Sequence, residues 1–399
     1  MKAPVTQPWV SLLLTCSACL VSAPAWIFSG EVFLGVWPSR ARPRRAKDTV
    51  RTAVIIPAHN ESLGIAETVL HIKEQLHPAD RLIVIADNCT DDTAEKALAA
   101  GAEVLERVNP NERGKGYALS YAAVELGRDP PDVVLIMDAD CRVRSGDLLA
   151  LSTLAHEKNR PVQAVYLMER PRSGGALSGI SAFAFLVRNW VRPLGLKRLG
   201  FPCLLTGTGM AFPWQLFRDA PATHGFLVED LLMGHELALL GAPPLLDEAI
   251  FVDSFLPEAD AASFKQRRRW EHGQLSVLKS VAPRLFGAGL LRFDPGLLAL
   301  ALDATVPPLA LLVVLELVSL VVMLGIWLLG GPIEPLLIAL GTFVVLTLAV
   351  LAAWVARGRS LLTPRELLSI PGYILWKIPL YKTFVRSGAH TEWERTDRS

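Results

Sequence analysis

Two apolar runs near the carboxyl end, Leu297 to Leu329 and Ile333 to Ala356, constrain this chain more than any other feature. Each is long enough to cross the hydrocarbon core of a bilayer. The joint between them, "GGPIEP", is too short for anything but a tight re-entry. A third run, Trp9 to Trp37, carries one charge, Glu31, and is followed by Arg40, Arg42, Arg44, Arg45 and Lys47. The "SAPA" at residues 22–25 resembles a signal-peptide cleavage site. However, the apolar run continues past it and the basic cluster lies beyond, which fits a retained anchor with a cytoplasmic carboxyl flank. Arg357, Arg359 and Arg365 follow the last run and return the chain to that same side. The expected order is an anchor and basic flank over 1–49, a cytoplasmic domain over 50–295, two membrane helices over 296–358, and an interfacial segment with a cytoplasmic tail over 359–399. The expected location is a bacterial-type inner membrane, crossed several times. "IPGYILWKIPLYKTFV" (370–385) has prolines, a lysine and aromatics, and suits the membrane surface better than its interior.

The balance of 40 Lys and Arg against 39 Asp and Glu gives no reason to expect nucleic acid as a partner. Five cysteines, Cys16, Cys19, Cys89, Cys141 and Cys203, are odd in number and scattered. Neither a disulfide framework nor a zinc site follows, and a reducing compartment suits them.

Between the apolar ends the pattern is strand, helix, strand, helix. "TAVIIPAHNES" is a buried strand ending at Pro57, with Asn60 available to cap a helix that carries Ile65, Val69, Ile72 and Leu76 at helical spacing. "RLIVIADNCTDDTAEKALAAGA" repeats the plan, with a strand over Leu82 to Ala86, a capping box of Asp92 and Glu95, and Gly101 as the stop. "AEVLERV" is a third strand and Val133 to Met137 a fourth. Alternation of this kind predicts an α/β domain with a mostly parallel sheet and ligands at the carboxyl ends of its strands. Those ends collect His59, Asn60 and Glu61, then Asp87 and Asn88, then Asp138 and Asp140. In extended geometry Asp138 and Asp140 point to one side, where two carboxylates repel unless a cation sits between them. No G-x-G-x-x-G follows the first strand, and in "ERGKGYAL" Asn109 stands where a P-loop needs its first glycine.

The ordered set "IIPAHNE", "ADNCTDD", "RGKGYAL", "DAD", "LTGTGMAF", "VED" and "QRRRW" resembles the family 2 glycosyltransferases of GT-A fold, in their membrane-integrated branch, over roughly residues 50–275. The resemblance implies a nucleotide-sugar donor, with a UDP-sugar as the expectation, and Mg²⁺ or Mn²⁺ held by Asp138 and Asp140. It implies donor contacts from Pro57, Asn60, Glu61, Asp87, Asn88, Lys115 and Asp138, with Asn88 standing where a second aspartate is more usual. Asp230, beside Glu229, takes the role of catalytic base with inversion at the anomeric carbon. Gly207, Gln266, Arg269 and Trp270 fall on the acceptor and diphosphate side. The chemistry suits these types: hard cations bind carboxylate and phosphate oxygens, a carboxylate can take a hydroxyl proton, and arginine grips phosphate bidentately. Arg267 and Arg268 read as a solvated basic patch, and His235 and His272 read more simply as packing residues than as metal ligands.

Three spans are too few to enclose a polar conduit alone. Transfer of one hexosyl or N-acetylhexosaminyl unit to a lipid-linked or membrane acceptor, in exopolysaccharide or glycolipid assembly, is therefore the favoured expectation. A processive synthase and an inert nucleotide- or glycan-binding scaffold remain as alternatives. Asp303 and Glu316 lie in apolar sequence, where a central charge costs about 2.5 to 3.5 kcal/mol. One of them is expected to face the protein interior near the acceptor headgroup, with interfacial placement the simpler reading for Asp303.

Overall fold

The computed structural model describes residues 7–38, 44–47, 49–171, 174–220, 229–255 and 260–387, without the side chains of 260–267 and 384–387. Eight strands, β1 (Thr52–Ala58), β2 (Arg81–Asp87), β3 (Glu103–Arg107), β4 (Val133–Ile136), β5 (Arg142–Ser145), β6 (Val162–Glu169), β7 (Met210–Pro213) and β8 (Leu245–Phe255), form one sheet in the order β3-β2-β1-β4-β7-β6-β8-β5. The β3-β2-β1-β4 half is parallel, and β7 runs antiparallel to both of its neighbours, β4 and β6. Successive residues of β1 pack into opposite layers. Val54 and Ile56 join one apolar cluster, and Ala53 and Ile55 the other. Covering both faces is what removes polar alternation from such strands.

The connecting helices are α1 (Pro8–Val36), α2 (Ile65–Lys73), α3 (Thr93–Ala99), α4 (Lys115–Leu126), α5 (Leu148–Lys158), α6 (Ala176–Leu186), α7 (Arg192–Arg198), α8 (Trp214–Arg218), α9 (Glu229–Leu239) and α10 (Asp260–Ser280). They are followed by α11 (Ala282–Arg292), α12 (Pro295–Thr305), α13 (Leu309–Leu328), α14 (Glu334–Ala353), α15 (Pro364–Leu367) and α16 (Ile370–Ser387). Among the described residues three helices are long and apolar enough to cross a membrane: α1, α13, and α14 with its extension to Gly358.

Several local expectations need correction. The run Leu297 to Leu329 is not one helix, because Pro307 and Pro308 separate α12 from α13. A proline lacks the N–H that would continue the ladder, and the residue before it is driven out of the α region. Asn60 does not cap α2. It has φ 57°, and its side chain binds Thr90 while the helix starts after Gly64. Asp92 precedes α3 without a side-chain cap, and Asp91 instead accepts from the Thr93 N–H at 3.1 Å. The stop at Gly101 does occur, at φ +91°, where glycine has no Cβ penalty. The segment 370–385 is helical, and it buries Tyr373, Lys377 and Leu380 against protein, with Lys377 paired to Glu271.

The long apolar helix α1 is tied to α7 and α12 by a buried triad. Arg192 of α7 donates from Nε to Glu31 of α1 at 2.6 Å and pairs through its other arm with Asp303 of α12. Asp303 is thus buried in protein. Glu316 of α13 is fully buried, and among the described residues its carboxylate forms no ion pair.

Candidate active site

Polar residues gather where β1, β2 and β4 end, on either side of the point at which strand order reverses. Pro57 sits in β1 opposite Ile85, beyond the last β1–β4 pair at Ile55 and Ile136, so its missing N–H leaves no β4 partner unmet. Asp87 is buried and bound through Oδ1 by Arg107 at 2.7 Å and by the Asn88 amide at 3.1 Å. Asn88 has φ 53°, and its Oδ1 accepts from the Asn109 N–H at 2.7 Å. Asparagine tolerates that left-handed conformation, which accounts for an amide where an acid is more usual. The Glu61 N–H donates to Thr93 Oγ1 at 2.8 Å, and its carbonyl accepts from Gly64 and Ile65, starting α2. The adjacent His59 ring lies 2.7 Å from the Asp87 carbonyl oxygen.

After Ile136 the chain leaves extended geometry for a turn at 139–140. This turn, rather than strand alternation, brings Asp138 and Asp140 together. Their carboxylates and the Cys141 sulfur lie within 4.8 Å of one another. Burial pushes the Cys141 thiol far up, so it stays protonated and is no ligand for a hard cation. The remaining pair of carboxylates is the donor set that Mg²⁺ or Mn²⁺ takes when it shares its shell with phosphate and water.

Lys115 opens α4 behind Gly114, whose φ of 124° makes the turn into the helix. Its ammonium donates to Asp138 and, at 2.6 Å, to the Gly207 carbonyl. Burial works against this charge, but Asp138, Glu229 and Asp230 outweigh it and the Lys115 pKa is raised. The loop carrying Gly207 is fixed from beneath by buried Gln163, which accepts from the Thr206 N–H at 2.8 Å and donates to the Thr208 carbonyl at 2.8 Å. Thr208 Oγ1 in turn accepts from the Asp138 N–H at 3.0 Å. Gly207 has φ +95°, and a Cβ there would lie 3.3 Å from Asp230 Oδ2 and 3.9 Å from Asp138 Oδ2. The two carboxylates thus flank one glycine.

Glu229 and Asp230 form the first turn of α9, where backbone N–H groups favour negative charge. Burial, then the neighbouring Asp230 charge, pushes Glu229 up to about 7. Asp230 is raised by burial against the opposing effect of Lys115. Gln266 lies on α10 with its side chain outside the described residues. Arg269 has a buried Nε without a hydrogen-bond partner among the described residues and acts electrostatically on Glu229. Trp270 packs on Phe185 with ring centroids 5.6 Å apart. His235 is buried and His272 Nε2 lies 3.1 Å from the Leu380 carbonyl oxygen, and neither joins the Asp138 group.

Arg107, Gln163, Thr208, Cys141 and Arg188 belong to this region and were not singled out from sequence. Arg107 carried a usable signal, because β3 pairs with β2 in a register that sets it opposite Asp87.

Residues 50–273 match the family described as "Glycosyltransferase like family 2". The low-salt glycan biosynthesis hexosyltransferase Agl6 of Haloferax volcanii is 36% identical over 109 residues, covering 24% of this chain and 25% of that protein. Glucosyl-3-phosphoglycerate synthase of Mycolicibacterium smegmatis is 34% identical over 101 residues, covering 24% of this chain and 32% of its own. These curated relatives are matched over a third of their length or less. The mannosyltransferase PcManGT from Pyrobaculum calidifontis, solved with GDP-Man and Mn²⁺, superposes on 94% of this chain and 99% of its own with a TM-score of 0.54. At 17% identity that likeness speaks for the fold, which is GT-A.

Proposed function

The chain belongs to glycosyltransferase family 2, and we propose that it moves one sugar from a nucleotide-sugar donor to a lipid-linked acceptor at the membrane surface, with inversion. The placement of both Asp138 and Asp230 against Gly207 carries this reading, since it sets a diphosphate-side carboxylate beside a candidate base. Asp87 Oδ2 receives the donor base edge, held in place by Arg107. Asp138 and Asp140 hold Mg²⁺ or Mn²⁺, which when bound offsets the charge of the departing nucleoside diphosphate. Lys115 adds a cation on the same side, and Arg269 pairs with phosphate oxygens. Asp230 accepts the acceptor hydroxyl proton as that oxygen bonds to the anomeric carbon and the carbon–phosphate oxygen bond breaks. Trp270 offers an aromatic face beside the acceptor.

Orientation follows from the basic flanks: the amino terminus outside, and residues 50–295 and the carboxyl terminus in the cytoplasm of a bacterial-type inner membrane. Three membrane helices among the described residues favour single transfer over extrusion of a polymer. The test incubates purified protein with membranes and a panel of radiolabelled UDP-, GDP- and other sugar nucleotides. Label should enter the lipid extract, and label in insoluble polymer would establish a processive synthase instead. Asp230→Asn should lower lipid labelling by about 10²- to 10⁴-fold and leave calorimetric donor affinity near wild type. Normal turnover in that variant would remove Asp230 from the base role.

A further inference from the structure

Beside the site, the domain and the three long apolar helices line a half-open cavity. All three of those helices reach it, through Phe28 of α1, Val313 of α13 and Val350 of α14. Pro307 and Pro308, which end α12, form part of its wall, and the Val306 carbonyl beside them accepts from Gln274 at 3.1 Å. Trp270 lines the same space, so the cavity adjoins the acceptor side of the site.

The charges on its wall are unequal in their pairing. Arg192 is held by Glu31 and Asp303, and Lys377 by Glu271. Arg188, in the π-helical segment Val187–Val191 that joins α6 to α7, has no ion pair among the described residues, keeps accessible surface and lines the cavity. It is close enough to Asp230 for each to act on the other's charge. A half-buried guanidinium without an ion pair favours an anion, and an anion that ends an apolar chain would match both the cation and the lining.

We propose that this cavity takes the hydrocarbon of the acceptor lipid, and that Arg188 pairs with a phosphate at the base of its headgroup. The proposal rests on the lipid-acceptor reading above and narrows it to phosphate-headed lipids. A hydroxyl carried beyond that phosphate is then directed towards Asp230, whose charge and that of Arg188 act on one another.

The test needs no turnover. Full-length protein in detergent is titrated with dioleoyl phosphatidic acid, dioleoylglycerol and glycerol 3-phosphate, with bound lipid counted by native mass spectrometry. Phosphatidic acid should bind at least about tenfold more tightly than either of the others, which lack the phosphate or the chains. Arg188→Gln should remove that advantage while dioleoylglycerol binding stays the same. Ala184→Phe, which fills the cavity from α6, should weaken both lipids. Sugar-nucleotide affinity should be unchanged in both variants, which also shows that they fold. Equal binding of the two lipids, equally tight glycerol 3-phosphate, or lipid binding indifferent to both variants would overturn the proposal. So would Arg188→Gln weakening the donor alone. Lipid labelling that persists without selective binding would refute this inference and leave the proposed activity standing. Selective binding without lipid labelling would refute the activity and leave the site.

Discussion

Gly207→Ala separates catalysis from donor binding. Alanine at φ +95° costs about 1–3 kcal/mol of backbone strain. Its Cβ would meet Asp230 Oδ2 at 3.3 Å, closer than ordinary contact, so that carboxylate must retreat by a few tenths of an ångström. Asp138 Oδ2, at 3.9 Å, is in ordinary contact and need not move. The Gly207 carbonyl that binds Lys115 is retained. Since a misplacement of about 1 Å can cost 10²-fold, a shift of this size predicts a kcat lower by about tenfold, or about 1.4 kcal/mol. Donor Kd should stay within about twofold of wild type. Gly200→Ala is the control: it has φ +79° and nothing within 4 Å of its new Cβ, so it carries the strain without the contact. Both variants should lose similar thermal stability, measured by melting in detergent, and only Gly207→Ala should lose turnover in the radiolabel assay. A parallel loss of donor affinity and kcat, or the same kcat loss in Gly200→Ala, would refute the reasoning.

Arg192→Met leaves Glu31 and Asp303 buried without their cation and should destabilise by about 3–5 kcal/mol. The triple change Glu31→Leu, Arg192→Met, Asp303→Leu should recover most of that loss in the same melt. Excess EDTA or Asp140→Ala should abolish transfer, whereas Cys141→Ser should keep its metal requirement, because the buried thiol is not a ligand; metal titrations of activity distinguish these. Glu229 has a folded pKa raised to about 7, so its ionisation opposes folding. Stability is lost as pH rises from the ordinary carboxylate range through 7, and it levels off above. Glu229→Gln should therefore melt with the wild type near pH 4 and increasingly above it by pH 7 to 8.

Sequence alone determined the elements whose signals are local. Apolar length marked the spans, uninterrupted apolar runs marked strands covered on both faces, and the ordered motifs identified the family. What required the tertiary structure was every relation between residues distant in the chain. Asp138 and Asp140 were legible as a pair, yet a turn unites them, and strand periodicity cannot report where extension stops. Asp303 looked interfacial because hydropathy treats a charge as lipid-exposed; its partner Arg192 lies 111 residues away. Gln163 supports the Gly207 loop from β6 without any motif, since a buried hydrogen bond leaves no periodic trace. Arg188 acquires meaning only where residues of three apolar helices line the same cavity. Local propensity and hydropathy act through neighbours in sequence, whereas charge pairing, cavity shape and carboxylate geometry act through space. Only the folded chain could set those.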